Sequence, residues 1–146
     1  MMFDPKQLVS FLPGFWKLKR HITHEFPTIE SYDASGYAKF FLLEDNVLLY
    51  REEIQMQHLK TGAIFEGSQE YLYSYDPNLK ELCKYFKDGR LFYKLGFCGK
   101  EASGVHRCKE DVYEARYMFD SHEKFFLTYR VKGPKKDYRH ETFYIK

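Results

Sequence analysis

From Trp16 onward the chain alternates apolar and polar residues with a period of two. Trp16, Leu18 and Ile22 share one face with Arg20, while Lys17, Lys19 and His21 fall on the other. That period marks a half-buried strand. The first run is Trp16–Thr23. Comparable runs follow at Ser35–Leu42, Val47–Met56, Ala63–Tyr73, Glu81–Phe86, Leu91–Gly96, Gly104–Tyr113, Ala115–Asp120, Lys124–Lys132 and Asp137–Ile145. Turn residues separate them: Glu44-Asp45-Asn46, Asp76-Pro77-Asn78, Asp88-Gly89, Asp120-Ser121-His122 and Gly133-Pro134. A helical spacing occurs only ahead of these runs. Asp4-Pro5 reads as an N-cap with proline at the first helical position, Leu8, Phe11 and Leu12 share a face, and Pro13-Gly14 ends the turn. The pattern predicts an all-β fold. It is an antiparallel up-and-down β-barrel of about eight to ten strands over 14–146, led in by a short helix within 1–13. The whole chain, 1–146, reads as one domain.

Alternation also assigns faces. The side of the first strand that holds Trp16 must be the inside, so Arg20 points inward. By the same parity Tyr50 and Glu52 share an inner face, as do Phe65, Gly67, Gln69, Tyr71 and Tyr73. In the seventh run His106 and Cys108 lie together, with Asp111 and Tyr113 in step after a bulge. In the last run Tyr138, His140, Thr142 and Tyr144 lie together. A one-residue slip would exchange the faces. These inner faces mix large aromatics with Arg20, Glu52, Gln69, His106 and His140. Buried polar groups need partners, so two readings stand: an internal Arg20–Glu52 pair with tyrosine hydroxyls satisfying the rest, or a lumen that takes water or a polar ligand. Composition sharpens the second. The chain holds 14 Phe, 13 Tyr and one Trp, 19% in all, and tyrosine suits a wall that is apolar along its body and wet at its tip.

Charge argues against nucleic acid. The 23 basic and 21 acidic residues leave +2 and are interspersed, and no RNA-binding sheet motif is present. Three cysteines, Cys83, Cys98 and Cys108, lack CxxC spacing, which favours a reducing compartment over a disulfide framework. With no leader pattern and no membrane-length apolar run, the expected location is cytoplasmic.

Several motifs together resemble an uncharacterised domain family, DUF6314: Pro13-Gly14-Phe15-Trp16-Lys17-Leu18-Lys19-Arg20, Leu48-Leu49-Tyr50-Arg51-Glu52, Asp88-Gly89-Arg90-x-Phe92, His106-x-Cys108-x-x-Asp111-x-Tyr113 and Val131-x-Gly133-Pro134-Lys135-Lys136-Asp137-Tyr138. Tyr93 stands where that family is expected more often to place histidine. More distantly, Gly14-x-Trp16 resembles the first-strand motif of the calycins, the lipocalins and intracellular fatty-acid-binding proteins. That resemblance implies a barrel with one internal cavity, and a late-strand arginine and tyrosine gripping a carboxylate, for which Arg139 with Tyr144, or Arg130, are the matching choices. The span from His24 to Asp33 is too short for the two-helix lid of those carriers.

The expected function is binding of a small amphipathic or anionic organic ligand in an aromatic and polar lumen. Arg20, Tyr50, Glu52, Gln69, Tyr71, His106, Lys136, Tyr138 and His140 are the ligand-binding candidates. The alternative is a small isomerase-, dehydratase- or hydrolase-type enzyme using His106 as acid or base, with Cys108 and His140 as further catalytic candidates. A third reading is a protein-interaction module. No cofactor is required by the sequence. A tetrapyrrole held by histidine, or a metal held by His106 and Cys108 with His140, Asp111 or Cys98, are lesser options, and no accepted zinc spacing supports the latter. The expected partner is a small molecule, with the chain monomeric or homodimeric.

Overall fold

A computed structural model describes residues 3–146. Helix α1 (Pro5–Phe11) forms where the sequence signals it. The Asp4 carboxylate accepts from the Gln7 amide at 3.0 Å, and the Gln7 side chain accepts from the Asp4 amide at 3.1 Å, a reciprocal capping box. Leu8 and Phe11 are the buried positions of α1.

Eleven strands follow: β1 (Gly14–Phe26), β2 (Glu30–Glu44), β3 (Val47–His58), β4 (Ile64–Asp76), β5 (Glu81–Phe86), β6 (Leu91–Lys94), β7 (Gly96–Cys98), β8 (Glu101–Cys108), β9 (Asp111–Ser121), β10 (Lys124–Gly133) and β11 (Lys136–Ile145). They form one antiparallel sheet in the order β6-β5-β4-β3-β2-β1-β11-β10-β9-β8-β7. Each strand pairs with its sequence neighbours except β6 and β7, which end the sheet, and the first and last strands also pair, Leu18 lying opposite Tyr144. This is an up-and-down, nearly closed barrel.

The run expected over Leu91–Gly96 divides at Leu95, which raises the strand number to eleven. Its first part pairs with β5 and its continuation pairs with β8. One bent segment thus serves both edges of the sheet, leaving neither fully open. A second difference lies in the run expected over Gly104–Tyr113. It is a hairpin, not a bulged strand: Cys108 pairs with Asp111, and Lys109 adopts a φ of 58° between them. The turn Lys109-Glu110 carries none of the glycine, asparagine or proline that usually announces one.

At the seam, β6 packs against β8 at Gly104. A Cβ there would lie 2.4 Å from the Tyr93 ring and 3.0 Å from the Lys94 carbonyl oxygen. Gly104→Ala is therefore expected to lower stability by about 1–3 kcal/mol through overpacking. Denaturant titration checks this, and a midpoint equal to wild type would contradict the seam described.

One end of the barrel is plugged. Trp16 has no exposed surface, and its indole N–H donates to the Leu12 carbonyl at 2.9 Å. Phe40 and Phe125 lie edge-on to its ring, and Phe119, packed on Phe125, joins them to Phe3 and to Phe11 of α1. The Lys146 ammonium sits 5.3 Å from the Trp16 ring and bonds the Phe11 carbonyl. Among the described residues no helix is long and apolar enough to cross a membrane.

Candidate functional site

Midway along the barrel, Arg20 on β1 reaches Glu52 on β3 across β2. Two interstrand spacings, roughly 10 Å, separate those strands. β2 presents Ala34, Gly36 and Ala38 between them; Arg20 lies opposite Ala34, and Ala38 opposite Glu52. Small residues here clear the space for two long side chains to meet. The guanidinium grips the carboxylate with both Nη atoms, at 2.7 and 2.8 Å, and its Nε donates to Thr142 Oγ1 at 2.7 Å. Tyr50 donates to the same carboxylate at 2.6 Å, and its hydroxyl meets that of Tyr144 at 2.7 Å. Burial works to raise the Glu52 carboxyl, but the Arg20 hydrogen bonds and charge outweigh it and hold Glu52 below the ordinary carboxylate range. Burial likewise works against Arg20's charge and is outweighed by Glu52, so the guanidinium is held more firmly protonated.

Lys84 lies on the same inner surface. It projects inward from β5 between Leu82 and Phe86 and is 2% exposed. Its ammonium donates to the Tyr129 hydroxyl at 2.8 Å and stands 4.1 Å from the centre of the Tyr71 ring, a cation–π distance. Among the described residues it makes no ion pair, because Glu52 is already committed to Arg20. Burial lowers its pKa to about 7. The Glu52 charge works upward and Arg20 works downward. Beyond Tyr129 runs a chain of phenols: Tyr129 to Tyr93 at 2.6 Å, Tyr93 to Tyr117 at 2.5 Å, and Tyr117 to Tyr73 at 2.7 Å. Burial raises the pKa of all four, so they stay protonated and serve as neutral donors and acceptors.

Two adjoining spaces share the His140 wall. The inner one, about 90 Å3, is bordered by Arg20, Glu52, Gln69, Tyr71, Lys84 and His140, with tyrosines closing it behind. At ~30 Å3 per molecule it has room for about three waters. The outer one, about 280 Å3, opens at the unplugged end between Ile22, His24, Tyr32, Met56, Phe65 and His140. His140 belongs to both walls. Burial, then the charge of Arg20 and of His24, lowers its pKa to about 4, leaving a neutral imidazole at neutral pH. The expected open lumen is thus narrowed: the rings that were expected to line it largely fill it.

The other sequence candidates separate clearly. Tyr50, Gln69, Tyr71 and His140 line the inner cavity with Arg20 and Glu52. Tyr138 is partly buried near the opening and stacks on His24 at 5.0 Å; burial raises its phenol to about 12. Lys136 lies at the rim, bonded to Tyr113 at 2.9 Å and Asp111 at 3.3 Å. His106 faces inward but is edge-on to Phe86, Phe92 and Tyr113, at 5.3–5.7 Å. Cys108 is exposed beside the turn into β9, and Cys98 is exposed as well. Among the described residues no three His, Cys, Asp or Glu side chains converge as a metal site. Neither late-strand arginine reaches the lumen. Alternation turns Arg130 and Arg139 outward, where Arg130 is taken by Asp137. The arginine inside the barrel is Arg20, and Tyr144 serves Tyr50.

Lys84 itself is absent from the sequence candidates, as is Tyr129. The signal was present: Leu82, Lys84 and Phe86 alternate on one face, as do Phe125, Leu127 and Tyr129.

The motif residues Gly14–Arg20 lie on β1, Leu48–Glu52 on β3, and Gly133–Tyr138 at the rim between β10 and β11. The model of a family of unknown function, DUF6314, matches residues 12–146. The chain belongs to the DUF6314 family. No curated protein matches this DUF6314 member in sequence. Among solved structures it is similar to the S-type phycobiliprotein lyase CPES from Guillardia theta, with a TM-score of 0.72 and 6% identity, covering 99% of this chain and 93% of that one. It is more loosely similar to the redesigned β-barrel mFAP1 bound to DFHBI, at a TM-score of 0.44 and 11% identity over 92% of this chain and 94% of that one. At these identities the likeness concerns the fold. The DUF6314 chain is a calycin-like barrel.

Proposed function

We propose that this barrel binds a small amphipathic organic ligand. Its aromatic or apolar body occupies the outer space between Ile22, Tyr32, Met56 and Phe65, and its anionic or hydrogen-bond-accepting end points inward to Lys84. One observation carries this reading. The Lys84 amine is buried with a lone hydroxyl partner, and the cavity it borders shares its His140 wall with the space at the opening. Arg20 and Glu52 cancel one another, so a protonated Lys84 leaves the interior one positive charge in excess. A buried cation without a counter-ion is costly, and an anionic group supplied by a ligand offsets that cost. Together the two spaces suit a ligand of one or two rings, with its body at the mouth and a single functional group inside. The lyase that shares the fold is named for action on phycobiliproteins, which accords with a barrel that accommodates an organic group.

The alternative of a catalytic His106 is less well supported. Its ring lies among hydrophobic aromatics and hydrogen-bonds no second titratable side chain among the described residues. The test uses 2-naphthoate and calorimetry. Wild type is expected to bind it, and Lys84→Met to weaken binding at least tenfold, while Lys132→Met in the exposed part of β10 leaves it unchanged. Equal affinity in wild type and Lys84→Met, or no binding to wild type, overturns the reading.

A further inference from the structure

Among the described ionised side chains buried in the lumen, Lys84 is the one the ion pair does not use. An amine can do more than attract charge. We propose that Lys84 captures aldehydes and ketones as a reversible Schiff base, so that the ligand class of this barrel includes aromatic carbonyl compounds. This rests on the binding reading above and deepens it.

Three features of the geometry point to carbonyl capture. The nitrogen borders a cavity of about 90 Å3, about three waters in size, so a carbonyl group that enters it lies close to the amine. The Tyr129 hydroxyl, 2.8 Å from the nitrogen, is placed to hydrogen-bond an oxygen attached to the same carbon. The phenol chain through Tyr93, Tyr117 and Tyr73 supplies proton donors and acceptors without any ionised group. Burial also keeps a substantial fraction of the amine neutral near pH 7, and the neutral amine is the nucleophile.

The step balances without a co-reactant. The nitrogen lone pair attacks the carbonyl carbon, and the C=O π electrons move to oxygen, giving a carbinolamine. Both amine protons end on that oxygen, the C–O bond breaks, and water leaves as C=N forms. Hydration reverses it. Nothing is oxidised or reduced.

The experiment treats the intact protein at pH 7 with 2-naphthaldehyde and sodium cyanoborohydride, whose hydride converts the imine to a stable secondary amine. Peptide mass spectrometry then locates the label. The expected result is at least tenfold more label on Lys84 than on any exposed lysine, and no selective label in Lys84→Met. Lys84→Arg, which keeps the charge and cannot form the imine, is the second variant, and circular dichroism verifies that both variants fold. Label spread over exposed lysines with Lys84 unmodified overturns the proposal. The arms separate two failures. If 2-naphthoate binds through Lys84 while the aldehyde is not trapped there, carbonyl capture falls and the binding reading stands. If neither compound engages Lys84, both fall.

Discussion

Glu52→Gln is expected to destabilise the barrel by about 3–5 kcal/mol, the usual cost of removing one member of a buried ion pair. For a chain of this length that lowers the melting temperature by roughly 10 °C. The loss is large because three groups depend on one carboxylate. Arg20 keeps its charge but faces one neutral amide oxygen and one donor-only NH2 in place of two charged acceptors, and Tyr50 exchanges a charge-assisted hydrogen bond for at best a neutral one. Lys84 loses the charge that favours its protonated form. The sign with pH follows from Glu52's lowered pKa. Its stabilisation is full above the ordinary carboxyl range and is lost as pH falls through its folded value. Wild type and Glu52→Gln should therefore converge in acid, where wild-type Glu52 is itself protonated. The double variant Arg20→Met/Glu52→Leu should recover most of the loss, because an apolar replacement leaves no unpaired charge. Thermal melts from pH 7 downward measure all of this. A single variant within 1 kcal/mol of wild type (on the scale of exposed pairs) would show that the pair is not the buried unit described.

Much of this architecture can be read from local chemistry. Asp4-Pro5 and the spacing of Leu8 and Phe11 specify α1, and the alternation after Trp16 places Arg20 inside before any contact is known. Parity alone also puts Glu52 and Tyr144 on the same wall as Arg20. Three things escape such reading, each for a physical reason. Lys109-Glu110 turns the chain by register and one left-handed residue, with no turn-forming type to announce it. The volume of the lumen depends on how rings interlock, and a count of aromatic residues is the same for a filled barrel and an empty one. Lys84 is hidden by its own character: lysine is so rarely buried without a partner that the alternation of Leu82, Lys84 and Phe86 is overruled by composition. The feature that breaks the ordinary burial rule is the one on which the proposed site rests.

That violation has a measurable consequence, because a residue retained for binding can weaken the fold. Lys84→Met is expected to stabilise the protein while weakening its ligand binding at least tenfold. The amine's pKa falls from an ordinary 10.5 to about 7, so folding with the charge inside costs about 5 kcal/mol where both states are protonated. Methionine removes that cost and gives up the Tyr129 hydrogen bond, about 1 kcal/mol; Tyr129 keeps Tyr93 as partner. At pH 6 the net gain is about 4 kcal/mol, or roughly 10 °C. The gain shrinks as pH rises from 7 toward 10.5, because the folded amine is already neutral while the unfolded one still binds a proton. At pH 9 about 1 kcal/mol remains. The groups facing Lys84 do not reverse this trend. Glu52 and Arg20 stay ionised as a pair, His140 stays neutral, and Tyr71 and Tyr129 stay protonated. Denaturant titrations of the two proteins at pH 6 and pH 9 give the comparison. A variant less stable than wild type at pH 6 would make Lys84 a structural cation held by its aromatic neighbours. A variant more stable and weakened in binding 2-naphthoate has the pattern of a residue kept for binding at the expense of the fold.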